Sequence, residues 1–483
     1  MNVKRRHVLQ ALGGLLTAPL WQHVAHAQSA ATAFTQPNIL FITIDDLGWP
    51  AIGSYGNPFV PTPNIDRLAQ EGMRFTDAYV TPQCTPTRAS LLTGQHTARN
   101  GMWHVIGPYY YPYAKVQEPR YVEHLPREAF TMGEVLQTVG YQTAYLGKWH
   151  LTNTEDGYYT YLTETGKQYY GFDYVNPVTE PSQYQRYGDK GVNFLTDEAI
   201  QFMERHQDNP FFIYLSHHSI HGPILAPEEI VAQYRAQGYP EAGLHNAVYL
   251  AAIQHLDQAI GRLLNRLDAL QLTQNTLVIF MSDNGGVDAY FDNAPLRYGK
   301  GSVYEGGIRV PFLIRWPRAI PPNSISTTPI YATDLYPTFA EVTGAVVPEN
   351  HILDGKSIVP LFQQQTGWDR DTLYWFMPLY DVRWGATPAA IIREGNYKLI
   401  HFFGDYIDLD QGGQYITESR VELYDLGADM SESFDLSDFA PRKTQDLLNK
   451  LHTWMSSLGH SIPEDNPNFD INRWNEEVRP ERK

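Results

Sequence analysis

The stretch from Thr81 to His96, TPQCTPTRASLLTGQH, holds the only cysteine in 483 residues, Cys84. A single cysteine has no partner for an intramolecular disulfide. Pro86 suits an early helix position because its missing N–H would be unpaired there, so a helix is predicted to begin at Cys84. A helix N-terminus favours an anion, and Arg88, about one turn further on, adds a positive charge. A buried structural cysteine is the usual alternative, but the proline, threonine and arginine neighbours do not form a core stripe.

Four apolar or β-branched segments along the chain have the pattern of buried strands, and each runs into polar residues. The segments are Pro37–Ile44, Tyr141–Leu146, Pro210–Leu215 and Thr276–Met281. The residues that follow them are, in turn, Asp45 and Asp46; Lys148 and His150; His217, His218 and His221; and Asp283 and Asn284. An aspartate pair of this kind is often only a helix cap and a solvated neighbour. Its recurrence at other strand ends makes that interpretation weaker.

Helical patterns lie between these strands, at 131–139, 193–205 and 245–270. Strands that alternate with helices predict an α/β fold with a large, mainly parallel sheet and helices on both faces. Ligands of such sheets bind at the carboxyl ends of the strands. The sequence therefore predicts one polar site at that edge. We expect His255 and Asp257, within the longest helix, to be structural, and the tyrosine-rich stretch Tyr158–Tyr170 to be a packed insertion.

The pattern C-x-P-x-R followed by A-S-L-L-T-G resembles the signature of the type I sulfatases, which belong to the alkaline phosphatase superfamily. The resemblance extends over residues 37–436. It includes the glycine-rich loop around Lys300, GKGSVYEGGIRVP, and the later segment LYDLGADMSESFDL. In that family a maturation enzyme oxidises the cysteine to formylglycine. A lysine in a loop is usually only solvated, but the resemblance implies a functional role for Lys300. It also implies that Cys84 is the modified nucleophile.

Sulfate monoester cleavage needs a nucleophile, charge neutralisation and protonation of the departing oxygen. A hydrated aldehyde has two hydroxyls: one attacks sulfur, and deprotonation of the other lets the sulfated hemiacetal collapse by C–O cleavage. The resemblance implies that Arg88 holds the aldehyde, Lys148 and Lys300 bind sulfate, His150 is the base, and His221, with Lys300, protonates the leaving oxygen. Within the histidine cluster His218 is the second choice for this position, and His217 is expected to be a spectator.

The residues Asp45, Asp46, Asp283 and Asn284 offer only oxygen ligands. Calcium or magnesium prefers such a set, and zinc does not. The resemblance implies one calcium ion per chain, bound by these four positions and completed by the oxygen of modified Cys84. The ion would polarise the sulfate and orient the nucleophile.

The first 27 residues are predicted to be an export signal. Lys4, Arg5 and Arg6 precede a weakly apolar stretch, and Ala25-His26-Ala27 fits a cleavage site before Gln28. The string RRHVLQ resembles a twin-arginine signal, with an ordinary secretory signal or a short anchor as alternatives. No other apolar run approaches the roughly 18 residues of a membrane span. We therefore expect a periplasmic or secreted protein without a membrane span.

Residues 36–365 are predicted to form the catalytic domain and residues 366–483 a smaller α+β domain with an antiparallel sheet. In the latter, the pattern predicts strands within 389–403, with a hairpin turn at Glu394-Gly395-Asn396, a short strand at 422–426 and a helix over 441–458. The aromatic stretch 375–384 is predicted to be irregular.

The sequence thus predicts a sulfuric ester hydrolase that acts on a sulfated carbohydrate or an aryl sulfate. Its partners would be that substrate and a formylglycine-generating enzyme. The net charge of −17 argues against nucleic acid. The alternative enzyme is a phosphodiester or phosphonate monoester hydrolase of the same superfamily. The non-enzymatic alternative is a catalytically silent, metal-stabilised carbohydrate-binding protein, which would require Cys84 to remain a thiol.

Overall fold

The structure, a computed structural model, describes residues 36–107, 110–177, 188–364 and 368–478, so the predicted export signal lies outside the described residues. The α-helices are α1 Pro63–Glu71, α2 Cys84–Thr93, α3 Thr97–Asn100, α4 Met132–Gln137, α5 Val192–Arg205, α6 Glu228–Ala236, α7 Ala247–Ala269, α8 Glu305–Ile308, α9 Leu335–Thr343, α10 Val359–Phe362 and α11 Pro441–Ser457. The strands are β1 Asn38–Ile44, β2 Met73–Tyr79, β3 Gln142–Gly147, β4 Tyr174–Val175, β5 Phe211–His217, β6 Thr276–Ser282, β7 Arg309–Arg315, β8 Ser324–Ser326, β9 Ile330–Tyr331, β10 Thr372–Met377, β11 Ala389–Glu394, β12 Tyr397–Phe402, β13 Tyr406–Asp408, β14 Gln414–Ile416 and β15 Arg420–Asp425.

Within these residues the large sheet has nine strands in the order β4-β3-β5-β1-β6-β7-β2-β8, and β9 also pairs with β2. The central strands β3, β5, β1 and β6 run parallel to one another. Strand β7 is antiparallel to both β6 and β2. The predicted mainly parallel sheet is thus confirmed. Its four predicted strands are the four central ones, which places their carboxyl ends side by side.

Strand β1 is buried on both faces of the sheet, which explains its continuous apolar sequence. Successive side chains of a strand point to opposite faces. Leu40, Ile42 and Ile44 belong to a core cluster shared with α1, α5, α6 and α7. On the other face, the ring of Phe41 lies 5.7 Å from the ring of Phe339 in α9. Helices therefore cover both faces, as predicted.

The smaller antiparallel sheet has the order β10-β11-β12-β15 and includes the predicted strands and hairpin. The expectation of an irregular stretch at 375–384 was wrong in part, because Trp375–Met377 complete β10, which pairs with β11. The described residues belong to one compact unit. The predicted boundary between 365 and 366 falls outside the described residues. No helix among the described residues has the length and apolarity to cross a bilayer.

A buried ion-pair cluster joins β12 of the smaller sheet to α8. Lys398 Nζ lies 3.1 Å from Glu305 Oε1 and 2.7 Å from Glu432 Oε1, and all three side chains are fully buried. Burial raises the pKa of Glu432 to about 7, although Lys398 opposes this shift. Lys398 thus bridges two buried carboxyl groups, and Arg309 Nη1 also lies 3.3 Å from Glu305 Oε2.

Replacement of Lys398 by methionine should destabilise the fold by about 3–5 kcal/mol, because it removes the buried cation that pairs with Glu432 and leaves Glu305 with Arg309 as its ion-pair partner. Denaturant unfolding measures this free energy. Lys450→Met is the matched control: Lys450 also pairs with a carboxylate, Glu394, but its side chain is 52% exposed. That variant should change stability by less than about 1 kcal/mol. Equal effects of the two substitutions would contradict the role assigned to Lys398.

Candidate active site

The register of the central strands brings the predicted polar residues to one edge of the sheet. Ile44, the last residue of β1, is level with His217 of β5 and Ser282 of β6. Gly147 at the end of β3 is level with Ser216 of β5. The residues that follow these positions therefore emerge together. Asp46 and His150 have φ values of 67° and 53°. Such left-handed backbone at the strand exits is uncommon for non-glycine residues and is typical of functional sites.

Cys84 is the first residue of α2, as predicted, and it is buried with 2% of its surface exposed. Its Sγ lies 3.2 Å from His150 Nδ1. The Thr85 hydroxyl donates to the His150 carbonyl at 2.9 Å, which fixes the histidine beside the helix. Burial raises the pKa of the Cys84 thiol. An unmodified Cys84 is therefore a poor thiolate nucleophile, in keeping with the hypothesis that it acts only after oxidation.

Arg88 is fully buried and contacts residues that follow the ends of β3 and β6. Its Nε and Nη2 donate to Asp283 Oδ2 at 2.9 and 2.6 Å. Its Nη1 donates to the Lys148 carbonyl at 3.0 Å. Arg88 therefore fixes a carboxylate and the loop after β3 relative to α2. Its implied role in holding the modified residue 84 stays a prediction.

Two buried lysines reach the site and contact the paired aspartates. Lys148 Nζ lies 2.6 Å from Asp45 Oδ2, and Lys300 Nζ lies 2.6 Å from Asp46 Oδ1. Burial lowers the pKa of Lys148, but Asp45 and the other nearby anionic groups outweigh burial and keep that pKa above its usual value. Burial likewise raises the pKa of Asp45, but Lys148 and the other cations outweigh it, so that pKa is lowered. The lysines and aspartates are thus all charged.

The donor atoms fit a hard divalent cation. Asp45, Cys84 and Asp283 present ligand atoms within 4.8 Å of one another, and Asp45, Asp46 and His221 form a second such group. Opposite oxygen ligands of calcium are about 4.6–5.2 Å apart. Asp45 Oδ1 and Asn284 Oδ1 are buried and accept no hydrogen bond from the described residues. Buried acceptors of this kind are costly unless a cation or a donor meets them.

The charges of the site also favour a bound divalent cation. Asp45, Asp46 and Asp283 form ion pairs with Lys148, Lys300 and Arg88, although burial raises the pKa of Asp283 against the opposing effect of Arg88. These charges cancel, while burial lowers the pKa of His150 and of His221 and keeps both neutral. A dication would supply the excess positive charge that an anionic substrate requires.

Of the three clustered histidines, His221 reaches the aspartate pair. Its Nε2 lies 3.9 Å from Asp46 Oδ2. His218 Nε2 contacts the Thr160 carbonyl at 3.0 Å. His217 belongs to β5 and is fully buried, and burial, with Asp189 and His255 as its charged neighbours, lowers its pKa to about 3. The structure thus places His221 beside Asp46 and His217 apart from it, and the sulfate contact implied for His221 stays a prediction.

Tyr159 belongs to the site, although the sequence indicated only a packed insertion there. Its hydroxyl lies 3.1 Å from His221 Nε2, and its ring centroid is 4.1 Å from that of His150. The Lys148 ammonium lies 4.7 Å from the same ring. One tyrosine therefore touches three of the predicted catalytic side chains. Nothing in the sequence distinguishes it from the adjacent Tyr158.

Tyr159→Phe should lower kcat/KM about fivefold. His221 Nδ1 lies 2.6 Å from the Gly222 carbonyl, so Nδ1 carries the proton and Nε2 accepts from the Tyr159 hydroxyl. Loss of one such hydrogen bond is worth about 1 kcal/mol. Steady-state kinetics would measure the change, with Tyr158→Phe as the control, since the Tyr158 ring packs on Tyr161. Identical kinetics for both variants would show that the contact is unimportant.

The fold and the site define a hydrolase of anionic esters, and comparisons with known proteins identify its family. The sulfatase family model matches residues 37–345, and the model "N-sulphoglucosamine sulphohydrolase, C-terminal" matches residues 296–460. A sulfatase of Formosa agariphila is 32% identical, with 92% of each chain covered. Human arylsulfatase A is 31% identical, with 86% of each chain covered.

Among solved structures, "Ps i-CgsB in complex with k-i-k-neocarrahexaose" is 28% identical with a TM-score of 0.71, covering 87% of this chain and 93% of that one. The chain therefore belongs to the sulfatase family and is a sulfuric ester hydrolase.

Proposed function

We propose that this sulfatase hydrolyses sulfate monoesters of a carbohydrate or a phenol through formylglycine made from Cys84, with one bound calcium ion. The observation that carries the proposal is the position of Cys84 at the N-terminus of α2, 3.2 Å from His150 Nδ1 and in one cluster with Asp45 and Asp283. The Cys84 sulfur marks the place that the hydroxyls of the hydrated aldehyde would occupy. A helix N-terminus suits an oxyanion at this point.

The two lysines would bind the sulfate oxygens. Lys148 and Lys300 approach the aspartate pair from separate loops, and both ammonium groups are buried, so their charges are weakly screened. Fixed cations in a dry site stabilise the charge that develops in the transition state and need little reorganisation. Calcium, when bound by Asp45, Asp46, Asp283 and Asn284, would polarise the sulfate and acidify the nucleophile.

The two histidines would carry out the two proton transfers. His150 Nδ1 is within reach of the residue-84 side chain and would take the proton whose removal releases sulfate. His221 lies across the site beside Asp46, and the Lys190 ammonium holds its carbonyl at 2.7 Å. Its Nε2 carries no proton in the free protein, so it would take one up when the anionic substrate binds and then donate it to the leaving oxygen together with Lys300. The residues therefore divide into a base at the nucleophile and an acid at the departing group.

The test is to produce the protein with a formylglycine-generating enzyme and to analyse it in two ways. Mass spectrometry of the residue-84 peptide should show the loss of sulfur that accompanies aldehyde formation. Hydrolysis of 4-nitrophenyl sulfate should exceed that of 4-nitrophenyl phosphate and of a phosphonate monoester. An intact thiol in such protein would remove the mechanism. Faster cleavage of the phosphorus esters would favour the phosphodiester or phosphonate monoester alternative.

A carbohydrate substrate is supported by the solved relative in complex with a neocarrahexaose. A screen of sulfated mono- and oligosaccharides would identify the sugar. We also propose export by the twin-arginine route, on the grounds of the sequence of residues 1–27. Replacement of Arg5 and Arg6 by lysine should abolish export, and unchanged export would exclude this route.

A further inference from the structure

A tight turn of the smaller sheet reaches the candidate active site. It connects β10 to β11, and Asp381 and Ala386 form a two-residue antiparallel bridge at its base. Residues Val382–Trp384 form a single 3₁₀ turn that Gly385 closes with a φ of 69°. The turn lies within the span of the family resemblance but outside the motif segments that carry it, and none of the roles implied by that resemblance falls on its residues.

The turn is fixed to the residue that precedes Cys84. Gln83 Nε2 donates to Asp381 Oδ2 at 2.9 Å, and both residues are at least 98% buried. Arg383 Nε and Nη2 each donate to the Asp381 carboxylate at 2.9 Å. A bidentate arginine–carboxylate pair has a defined geometry. The position of the turn is therefore tied to the start of α2.

Trp384 lies over the loop that carries Lys300. The Lys300 ammonium is 5.7 Å from the centre of the Trp384 ring. Gly301 has a φ of 84°, and a Cβ added to it would lie only 2.3 Å from Trp384 Cβ. The glycine thus permits the close approach of the Trp384 side chain, and the indole is held beside the lysine that would contact the leaving oxygen.

We propose that Trp384 is a specificity-determining residue whose indole packs on the ring of the alcohol or phenol released from the ester. This inference rests on the proposed function. If Lys300 Nζ hydrogen-bonds the bridging oxygen at about 3 Å, the ring that carries this oxygen begins one or two bonds beyond it. The substrate ring would then lie within contact distance of the Trp384 indole, whose centre is 5.7 Å from the Lys300 ammonium. Aromatic rings and the C–H faces of sugars both bury apolar surface on an indole.

A purely structural role for Trp384, as a cover for Lys300, would have a different signature. It would alter the binding of any anion at the lysine. A contact between Trp384 and the alcohol would alter the binding only of ligands that possess a ring. Inorganic sulfate has no ring and competes for the same cations, so its inhibition constant separates the two roles.

The experiment compares mature wild-type protein with Trp384→Ala, using 4-nitrophenyl sulfate as substrate and inorganic sulfate as inhibitor. Activities are normalised to the formylglycine content of each sample. We expect KM to rise about tenfold, with kcat and the sulfate inhibition constant within twofold of wild type. Trp368→Ala is the matched control, because the Lys356 ammonium lies 5.1 Å from the Trp368 ring in a similar arrangement elsewhere. It should leave all three constants unchanged.

An unchanged KM, or a parallel rise in the sulfate inhibition constant, would overturn the inference. If Trp384→Ala does not fold, Trp384→Phe and Trp384→Leu replace it: phenylalanine should keep KM near wild type and leucine should raise it, and equal values would also overturn the inference. Failure of mature wild-type protein to cleave both 4-nitrophenyl sulfate and every member of the sulfated saccharide screen would instead remove the proposed function, and this contact with it. Normal wild-type turnover with an unaltered variant removes only the contact.

Discussion

Cys84→Ala should reduce sulfate-ester turnover by on the order of 10⁴-fold or more, because it removes the side chain from which the nucleophile is made. The fold should persist. Cys84 forms no disulfide, and its side chain makes a polar contact with His150 among the described residues. Loss of one buried sulfur costs about 1 kcal/mol or less at such a site. Turnover of 4-nitrophenyl sulfate and thermal unfolding would be measured on the same preparation.

Ser90→Ala is the matched control for this substitution. Ser90 also lies in α2, is fully buried, and its hydroxyl makes no hydrogen bond with the described residues. The change removes one buried heteroatom from the same helix but not from the site. The control should keep wild-type activity. Substantial turnover by Cys84→Ala would rule out residue 84 as the nucleophile.

Asp283→Asn should lower kcat by about 100-fold or more and should abolish the effect of calcium on thermal stability. The substitution preserves volume but removes a negative charge from the predicted ligand set. It also weakens the contact with Arg88, now 2.6 Å from Asp283 Oδ2, so about 1–3 kcal/mol of stability should be lost. An ion at 100 times its dissociation constant stabilises a protein by about 2.7 kcal/mol, and unfolding with and without a chelator reports this directly.

Asp257→Asn provides the comparison, since Asp257 is 2% exposed and accepts the backbone N–H groups of Asn64 and Ile65 at 2.9 and 2.8 Å. It should lose stability but retain both turnover and the response to calcium. If the chelator affects neither wild type nor Asp283→Asn, the proposed calcium site is wrong. If both aspartate variants lose activity equally, the loss at Asp283 reflects stability and not ion binding.

The sequence was sufficient for the parts of this protein that depend on local pattern. Buried parallel strands such as β1 leave a continuous apolar run, and each run ends at the sheet edge where ligands bind. Asp45 and Asp46, Lys148, and Asp283 could therefore be assigned to one site without knowledge of any contact. The helix at Cys84 was predictable for the same reason, since Pro86 marks the first turn of a helix.

The tertiary structure alone decided features that depend on packing between distant segments. His221 lies in the loop after β5 and reaches Asp46, whereas His217 lies within β5 with Asp189 and His255 as its charged neighbours. The spacing H-H-S-I-H could not distinguish these two positions. Tyr159 reaches the site because its loop returns to the segment after β3, where the His150 N–H donates to the Tyr158 carbonyl at 3.4 Å. Trp384 reaches Lys300 because Gln83 holds the turn of another sheet. Such contacts join residues up to about 300 positions apart, and no local periodicity encodes them, because each depends on how complete layers pack.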